Sequence, residues 1–396
     1  MNKGDYMSIT RPVYLDYAAA TPTDPRVIKE MVSCMGIEGA FANPHAKDHV
    51  YGWEAAEAVE TARDRIASLI GASPLEIYFT SGATEANNLA VLGLADALLK
   101  RGDKRRTVIT SSIEHKAVLE ACELLQRRGY RVIYLPPRRD GITDVSMLES
   151  VFSDDVFLVS VAQANSVLGS VCDVHALASF CRSHGAFFHT DTAQSAGYVR
   201  TDFDKSDVSM ATLTSEKICG PKGVGALYVQ RSQNVPLEPQ IYGGGQEKGL
   251  RGGTVPTHQA AGMGKAFEIM QKEGASDAAR MNELRNYLIG ALSLIEGCHI
   301  NGSTEHHVPG ILSVSFEGID GKMLLPSLTA VAASAGSACS SSELKPSYIL
   351  KAVGLTDELA MASLRLSLGR FSTMEEMKTA AADIAATVAR LRHGKK

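Results

Sequence analysis

Ile77-Tyr-Phe-Thr-Ser-Gly-Ala-Thr-Glu85 is the stretch on which the fold assignment turns. Its apolar start reads as a strand over Ile77–Phe79, Ser-Gly-Ala-Thr as a turn, and Asn87–Leu99 as the helix that follows. The alternation recurs downstream. Thr107–Thr110 reads as a strand, followed by a helix from about His115 to Arg128. Arg131–Leu135 and Val156–Val161 are further strands, and a helix over Val174–His184 leads to a strand at Ala186–His189. Strands spaced by helices predict a mostly parallel sheet covered by helices. In such sheets ligands gather at the carboxyl ends of the strands, and the informative polar residues fall there. Beyond the glycine-rich stretch Gly243–Gly253 the chain predicts a long helix, then a second helical stretch from about Asp277 to Ile295. Strands near Ile311–Phe316 and Leu364–Ser367 and a final helix complete the pattern. The organisation expected is a large α/β domain over residues 21–275 and a smaller α+β domain made of residues 1–20 and 276–396.

Composition narrows the function. The chain has 396 residues, 45% of them hydrophobic, enough to bury two cores. A net charge of −4 with no basic tract gives no electrostatic footprint for nucleic acid. Met1–Pro12 carries Lys3, Asp5 and Arg11 around no apolar core, so no secretory signal is read there. No apolar run approaches the roughly 20 residues of a membrane span. A cytoplasmic, soluble protein is the expectation. The seven cysteines are odd in number and form no C-x-x-C pair, so neither a metal site nor a disulfide framework is expected.

Six clusters carry chemistry. The Ser81-Gly-Ala-Thr84 turn at a helix start offers free N–H groups and a hydroxyl, a cradle for an anion or a plain helix cap. Ala186-Phe-Phe-His-Thr-Asp191 ends an apolar strand in an acid that can serve a metal, a ribose, a protonated ring nitrogen or merely a loop, with Gln194 three residues on. Lys217 precedes a Gly/Pro-rich turn, where a lysine in a partly dry pocket can form a Schiff base and a solvated one does nothing. Gly243-Gly-Gly-Gln-Glu and Leu250-Arg-Gly-Gly-Thr-Val-Pro256 read as a mobile segment able to approach a ligand or a partner subunit. Ser334-Ala-Gly-Ser-Ala-Cys-Ser-Ser-Ser342 sets Cys339 among small residues, as suits a delivered nucleophile. Arg365, in a short strand, is expected to pair with a carboxylate of the protein or of a substrate.

Taken in order, these clusters resemble the cysteine desulfurases, a branch of the class V aminotransferase superfamily with pyridoxal-phosphate (PLP) fold type I. The resemblance starts at Tyr14-Leu-Asp-Tyr-Ala-Ala-Ala-Thr-Pro22, includes Asn43-Pro44, Gly52-Trp53 and Glu114-His-Lys-Ala-Val118, and runs to Ser372. The Cys339 loop resembles that of the group I branch. The resemblance implies a seven-stranded, mostly parallel sheet and PLP on Lys217. It implies Asp191 at the ring nitrogen, His115 against the ring face and Gln194 on the ring's phenolic oxygen. The Ala83-Thr84 turn and Thr214 would hold the phosphate, and Thr254 would reach the phosphate of the other subunit of a homodimer. Arg365, with Ser166 nearby, would bind the carboxylate of L-cysteine. Cys339 would take the sulfur as a persulfide for a sulfur-acceptor protein, in iron–sulfur or thio-modification chemistry.

Three departures from the family qualify this reading. Glu216 stands where the family places a phosphate-binding histidine, and Ser166 stands where it places an asparagine. The chain ends at Lys396, short of the longer tail of the housekeeping branch, which predicts a different acceptor. Two alternatives follow. One is a lyase for selenocysteine or cysteine sulfinate, against which Cys339 argues. The other is a catalytically weakened dimeric partner in a sulfur-transfer complex, which Glu216 and Ser166 motivate.

Overall fold

A computed structural model describes residues 11–335 and 345–394. These form twelve strands: β1 (Val13–Tyr14), β2 (Ile77–Thr80), β3 (Thr107–Ser111), β4 (Arg131–Leu135), β5 (Val156–Ser160), β6 (Phe187–Asp191), β7 (Met210–Thr214), β8 (Gly225–Val229), β9 (Cys298–Asn301), β10 (Ile311–Phe316), β11 (Val331–Ala332) and β12 (Ser363–Ser367). Seven of them make the main sheet, in the order β2-β8-β7-β6-β5-β3-β4. β3, β5, β7 and β8 are buried at every residue, the signature of strands covered on both faces, and runs such as Val156-Phe-Leu-Val-Ser160 supply the apolar bulk this needs. All neighbours pair in parallel except β8, which is antiparallel to both β2 and β7. The reason is length: Ser215–Val224 is too short for the crossover of roughly a dozen residues that a parallel return requires.

The chain leaves β3 toward β4 and returns to place β5 on the other side of β3. Connections from β3 and β5 therefore diverge and open a crevice at the carboxyl ends of these strands. Three strands in the order β12-β10-β9 form a separate antiparallel sheet, and β1 pairs in parallel with β11.

One expectation is corrected. The break near residue 275 does not exist: a single helix runs from Thr257 to Leu292. Its N-terminal half packs Ala260, Met263 and Phe267 into the core beneath the main sheet, and its C-terminal half packs Leu284, Leu288 and Leu292 against β10 and β12. Gly264 lets it approach the helix Val50–Ile70 closely; a Cβ there would fall 2.5 Å from Ala62 Cα. Gly274 is a second such contact, with a Cβ falling 2.8 Å from the Gly197 carbonyl oxygen. We infer two lobes, 21–275 and 1–20 with 276–396, from the separate cores, with the boundary inside an unbroken helix.

The segment 243–253, read as mobile, is anchored. Glu247 accepts from Arg63 Nη2 at 2.9 Å and Nη1 at 3.0 Å and from the Phe79 amide at 2.7 Å. Both side chains are buried, so the pair is stable only because its geometry is bidentate and its remaining lone pairs are used. This clamp holds Glu247 and Lys248 in left-handed backbone (φ 48° and 57°). Among the described residues no helix is long and apolar enough to cross a membrane.

Candidate active site

The crevice holds a cavity of about 460 Å³. Strand ends and the turns after them supply its walls. His115 comes from beyond β3, Ser166 from beyond β5, and Asp191 and Gln194 from β6 and its turn, while Thr214 ends β7 and Lys217 follows it. Ala83 and Thr84 open the helix Ala83–Asn88, and Arg365 enters from β12. Every described residue selected from sequence lines this cavity but one. Thr254 does not line the cavity of its own chain, and Cys339 lies outside the described residues.

Asp191 is almost fully buried. Its Oδ1 accepts from the Ala193 amide at 2.9 Å and its Oδ2 from Asn87 Nδ2 at 2.7 Å. Two residues earlier, His189 shares hydrogen bonds with Ser160 Oγ (2.8 Å) and Thr212 Oγ1 (3.0 Å), tying β5, β6 and β7 together. Burial lowers its pKa to about 3, so it stays neutral.

On the opposite wall, Gly82 precedes the helix with φ 153°, a conformation that only glycine adopts readily, and a Cβ there would meet nothing within 4 Å. The Ala83 and Thr84 amides lie at the helix start, ahead of any intrahelical acceptor. This is an anion cradle in geometry as well as in sequence.

Lys217 Nζ donates to the Ala19 carbonyl at 2.5 Å and pairs with Glu216 Oε1 at 2.5 Å. Glu216 therefore faces the cavity, not solvent alone. Arg365 pairs with a carboxylate of the protein itself, the first of the two partners left open. Its Nη2 pairs with Asp16 Oδ1 at 2.7 Å and its Nη1 donates to the Ser166 carbonyl at 3.0 Å, while its Nε is buried without a partner among the described residues. Ser166 thus meets Arg365 through its backbone, which any residue would supply. Gln194 Nε2 donates to the Ala18 carbonyl at 2.9 Å. His115 Nδ1 accepts from the Ala117 amide at 3.2 Å, which puts the proton of the neutral ring on Nε2.

Two groups escaped the sequence reading. Asn87 fixes Asp191 and keeps its own Oδ1 buried and unpartnered; in a helix reading Ala-Thr-Glu-Ala-Asn-Asn nothing in the sequence marked it out. The segment Tyr14–Thr21 contributes Asp16 and the carbonyls of Ala18 and Ala19. Tyr14 Oη closes this turn by donating to the carbonyls of Asp16 and Ala20.

The residues present fit PLP on structural grounds. A cradle of free amides and a hydroxyl suits its phosphate, a buried carboxylate suits its ring nitrogen, and a lysine in the same cavity suits its aldehyde. The buried, unsatisfied Arg365 Nε calls for an acceptor such as the carboxylate of an amino acid.

Comparison with known proteins agrees. The family model "Aminotransferase class-V" matches residues 13–379. A cysteine desulfurase IscS of Proteus mirabilis (strain HI4320) is 48% identical over 96% of this chain and 94% of its own length. That of Escherichia coli O139:H28 is 46% identical over the same shares. Among solved structures, a NifS-like protein superposes with a TM-score of 0.88 at 34% identity, covering 96% of this chain and all of its own. A structure described as SspA in complex with cysteine gives 0.80 at 36% identity, covering 91% and 99%. With a cavity built for an anion, a ring nitrogen and a carboxylate, and relatives matched over nearly their whole length, the chain belongs to the PLP-dependent class-V aminotransferase family, in its cysteine desulfurase branch.

Proposed function

We propose that this enzyme takes sulfur from L-cysteine, releases L-alanine and leaves the sulfur as a persulfide on Cys339. The observation that carries the reading is the convergence of Lys217, Asp191, His115 and the unsatisfied Arg365 in one cavity. PLP, when bound, supplies the electron sink that makes the Cα proton of an amino acid removable. The protein does the rest. Ala83, Thr84 and Thr214 hold the phosphate. Asp191, fixed by Asn87 and Ala193, keeps a negative charge at the ring nitrogen. Gln194 would meet the cofactor's phenolic oxygen and His115 would lie against its ring. Arg365 binds the substrate carboxylate and so fixes which Cα bond is labile. Lys217, in the same cavity, would carry the Cα proton.

The sulfur step balances within the active site. The Cys339 thiolate attacks the substrate sulfur, forming an S–S bond as the carbon–sulfur bond breaks. The carbon fragment keeps that bond's electron pair and is protonated to alanine. A sulfur-acceptor protein then receives the persulfide sulfur.

The test follows product and sulfur separately. Cys339→Ser should still change the visible spectrum on adding cysteine, yet form less than about 1% of the wild-type persulfide. Sulfide release and alanine formation undiminished in that variant would remove Cys339 from the reaction.

Glu216 bears on cofactor retention. With the cofactor held through Lys217, that lysine would no longer be a free ammonium for Glu216, and the Glu216 carboxylate would lie on the side of the cavity that holds the phosphate. We expect Glu216→His to tighten PLP binding about fivefold or more, corresponding to about 1 kcal/mol of relieved repulsion. Cofactor dissociation followed by absorbance measures this; unchanged affinity would mean that the carboxylate does not face the phosphate.

A homodimer is part of the reading. Ile28, Val32, Met35, Ile37, Phe41 and Trp53 are exposed along one stretch, as are Ile241 and Tyr242 beside the anchored glycine-rich segment. So much apolar surface favours a partner, and Thr254, outside its own chain's cavity, is available to another. Sedimentation at assay concentrations should give a dimer; an active monomer would refute it.

A further inference from the structure

Glu114 is a buried carboxyl that the reaction outlined above does not use. It sits directly before His115 and is 2% exposed. Its Oε1 accepts from the Ala162 amide at 2.9 Å, which ties the turn after β3 to the end of β5 across the crevice. Its backbone carbonyl accepts from Tyr348 Oη at 2.6 Å, which ties the same turn to the helix Tyr348–Ala352. Its Oε2 is buried with no partner among the described residues. An ionised carboxylate would leave lone pairs unsatisfied there, whereas the neutral acid carries one fewer charge into the interior.

We propose that Glu114 is a positioning residue that works in its protonated form, fixing the turn that carries His115 while adding no negative charge beside Asp191. The proposal rests on the reading of His115 and Asp191 given above. The groups that act on Glu114 or feel its charge are Asp191 from β6, Cys122 from the helix Lys116–Arg127, Cys172 from the turn before the helix Val174–Ser183, and Tyr348. All are acidic or neutral, and none offers a compensating cation. His115 and Lys116, next in the chain, are exposed at the cavity wall. Burial, with the charge of Asp191 adding to it, pushes the Glu114 carboxyl up to about 8 against the opposing hydrogen bond from Ala162. The sign follows. Below pH 8 the group is neutral and the site is intact. Above pH 8 it ionises, loses its proton to solvent, and places a second negative charge near Asp191 inside a dry region.

The test is a pH titration of the holoenzyme, reading both kcat/KM and the visible band of the cofactor, for wild type and Glu114→Gln. Glutamine keeps the acceptor for Ala162 and cannot ionise. In the wild type, kcat/KM should fall about tenfold per pH unit above pH 8, with a matching spectral change. In Glu114→Gln, activity at pH 7 should stay within about threefold of wild type, and both alkaline changes should move up by at least one unit. Alkaline limbs in the same place in both proteins, or a large loss at pH 7 in Glu114→Gln, would overturn the proposal. Asp191→Asn separates the two levels of the argument. If it leaves the band at pH 7 unchanged, the site reading itself fails; if it alters the band while Glu114→Gln leaves the alkaline limbs in place, only the role of Glu114 falls.

Discussion

Replacing Lys217 by alanine is expected to lower desulfuration by at least about 10⁴-fold, because in the proposed reaction one side chain would both anchor the cofactor and carry the Cα proton. The fold should survive. Lys217 contributes one hydrogen bond to Ala19 and one ion pair to Glu216, whose side chain is 32% exposed and can be hydrated once its partner is gone. The direct readout is covalent attachment. Borohydride treatment of wild-type holoenzyme should add the mass of reduced PLP to a peptide containing Lys217, and treatment of Lys217→Ala should add none. Retention of more than a few per cent of wild-type turnover in a verified Lys217→Ala preparation would show that another group moves the proton.

Asp191→Asn should cost about 10²–10³-fold in kcat, the scale of removing one preorganised electrostatic group from an active site. The surroundings make this a clean removal of charge. The Ala193 amide can donate to the new Oδ1 as it does to the carboxylate. Asn87 now donates to Oδ2, but its own Oδ1 is buried and unpartnered. A rotation of the Asn87 amide by half a turn would offer that oxygen to the new Nδ2. The variant should therefore fold and bind PLP, with the loss falling mainly on kcat rather than KM. A loss confined to KM would place Asp191 in substrate binding instead of ring chemistry.

Much of this was legible before any coordinates. Runs such as Val156-Phe-Leu-Val-Ser160 declare a strand covered on both faces, because five residues with no polar alternation leave no side for water. The polar residues that end such strands fall at the crevice by topology, which is why Asp191 could be singled out from its strand, whereas Thr214 and His115 came from the family resemblance. What stayed hidden depends on contacts between distant positions. Asn87 meets Asp191 across 104 residues, and Asp16 meets Arg365 across 349. No local pattern encodes either pairing. Glu216 was noticed as unusual, yet its direction was set by Lys217 and could not be read from neighbours in the chain. The glycine-rich segment was misread because small residues allow motion but do not require it; Glu247 reaching Arg63 holds it in place. The continuity of the long helix stayed hidden for a related reason. Gly274 looks like a breaker locally, and only its packing against Gly197 explains why a residue with no side chain is needed there.

That helix has a consequence for how the molecule comes apart. At about 1.5 Å per residue its 36 residues span roughly 54 Å, and both cores hold part of it. If either core melted alone, half of one helix would lose its buried face while the other half kept it, and the new end would expose uncapped carbonyls or amides in mid-sequence. Thermal unfolding is thereby biased toward one cooperative event, in which neither lobe survives as a folded fragment once the other is lost.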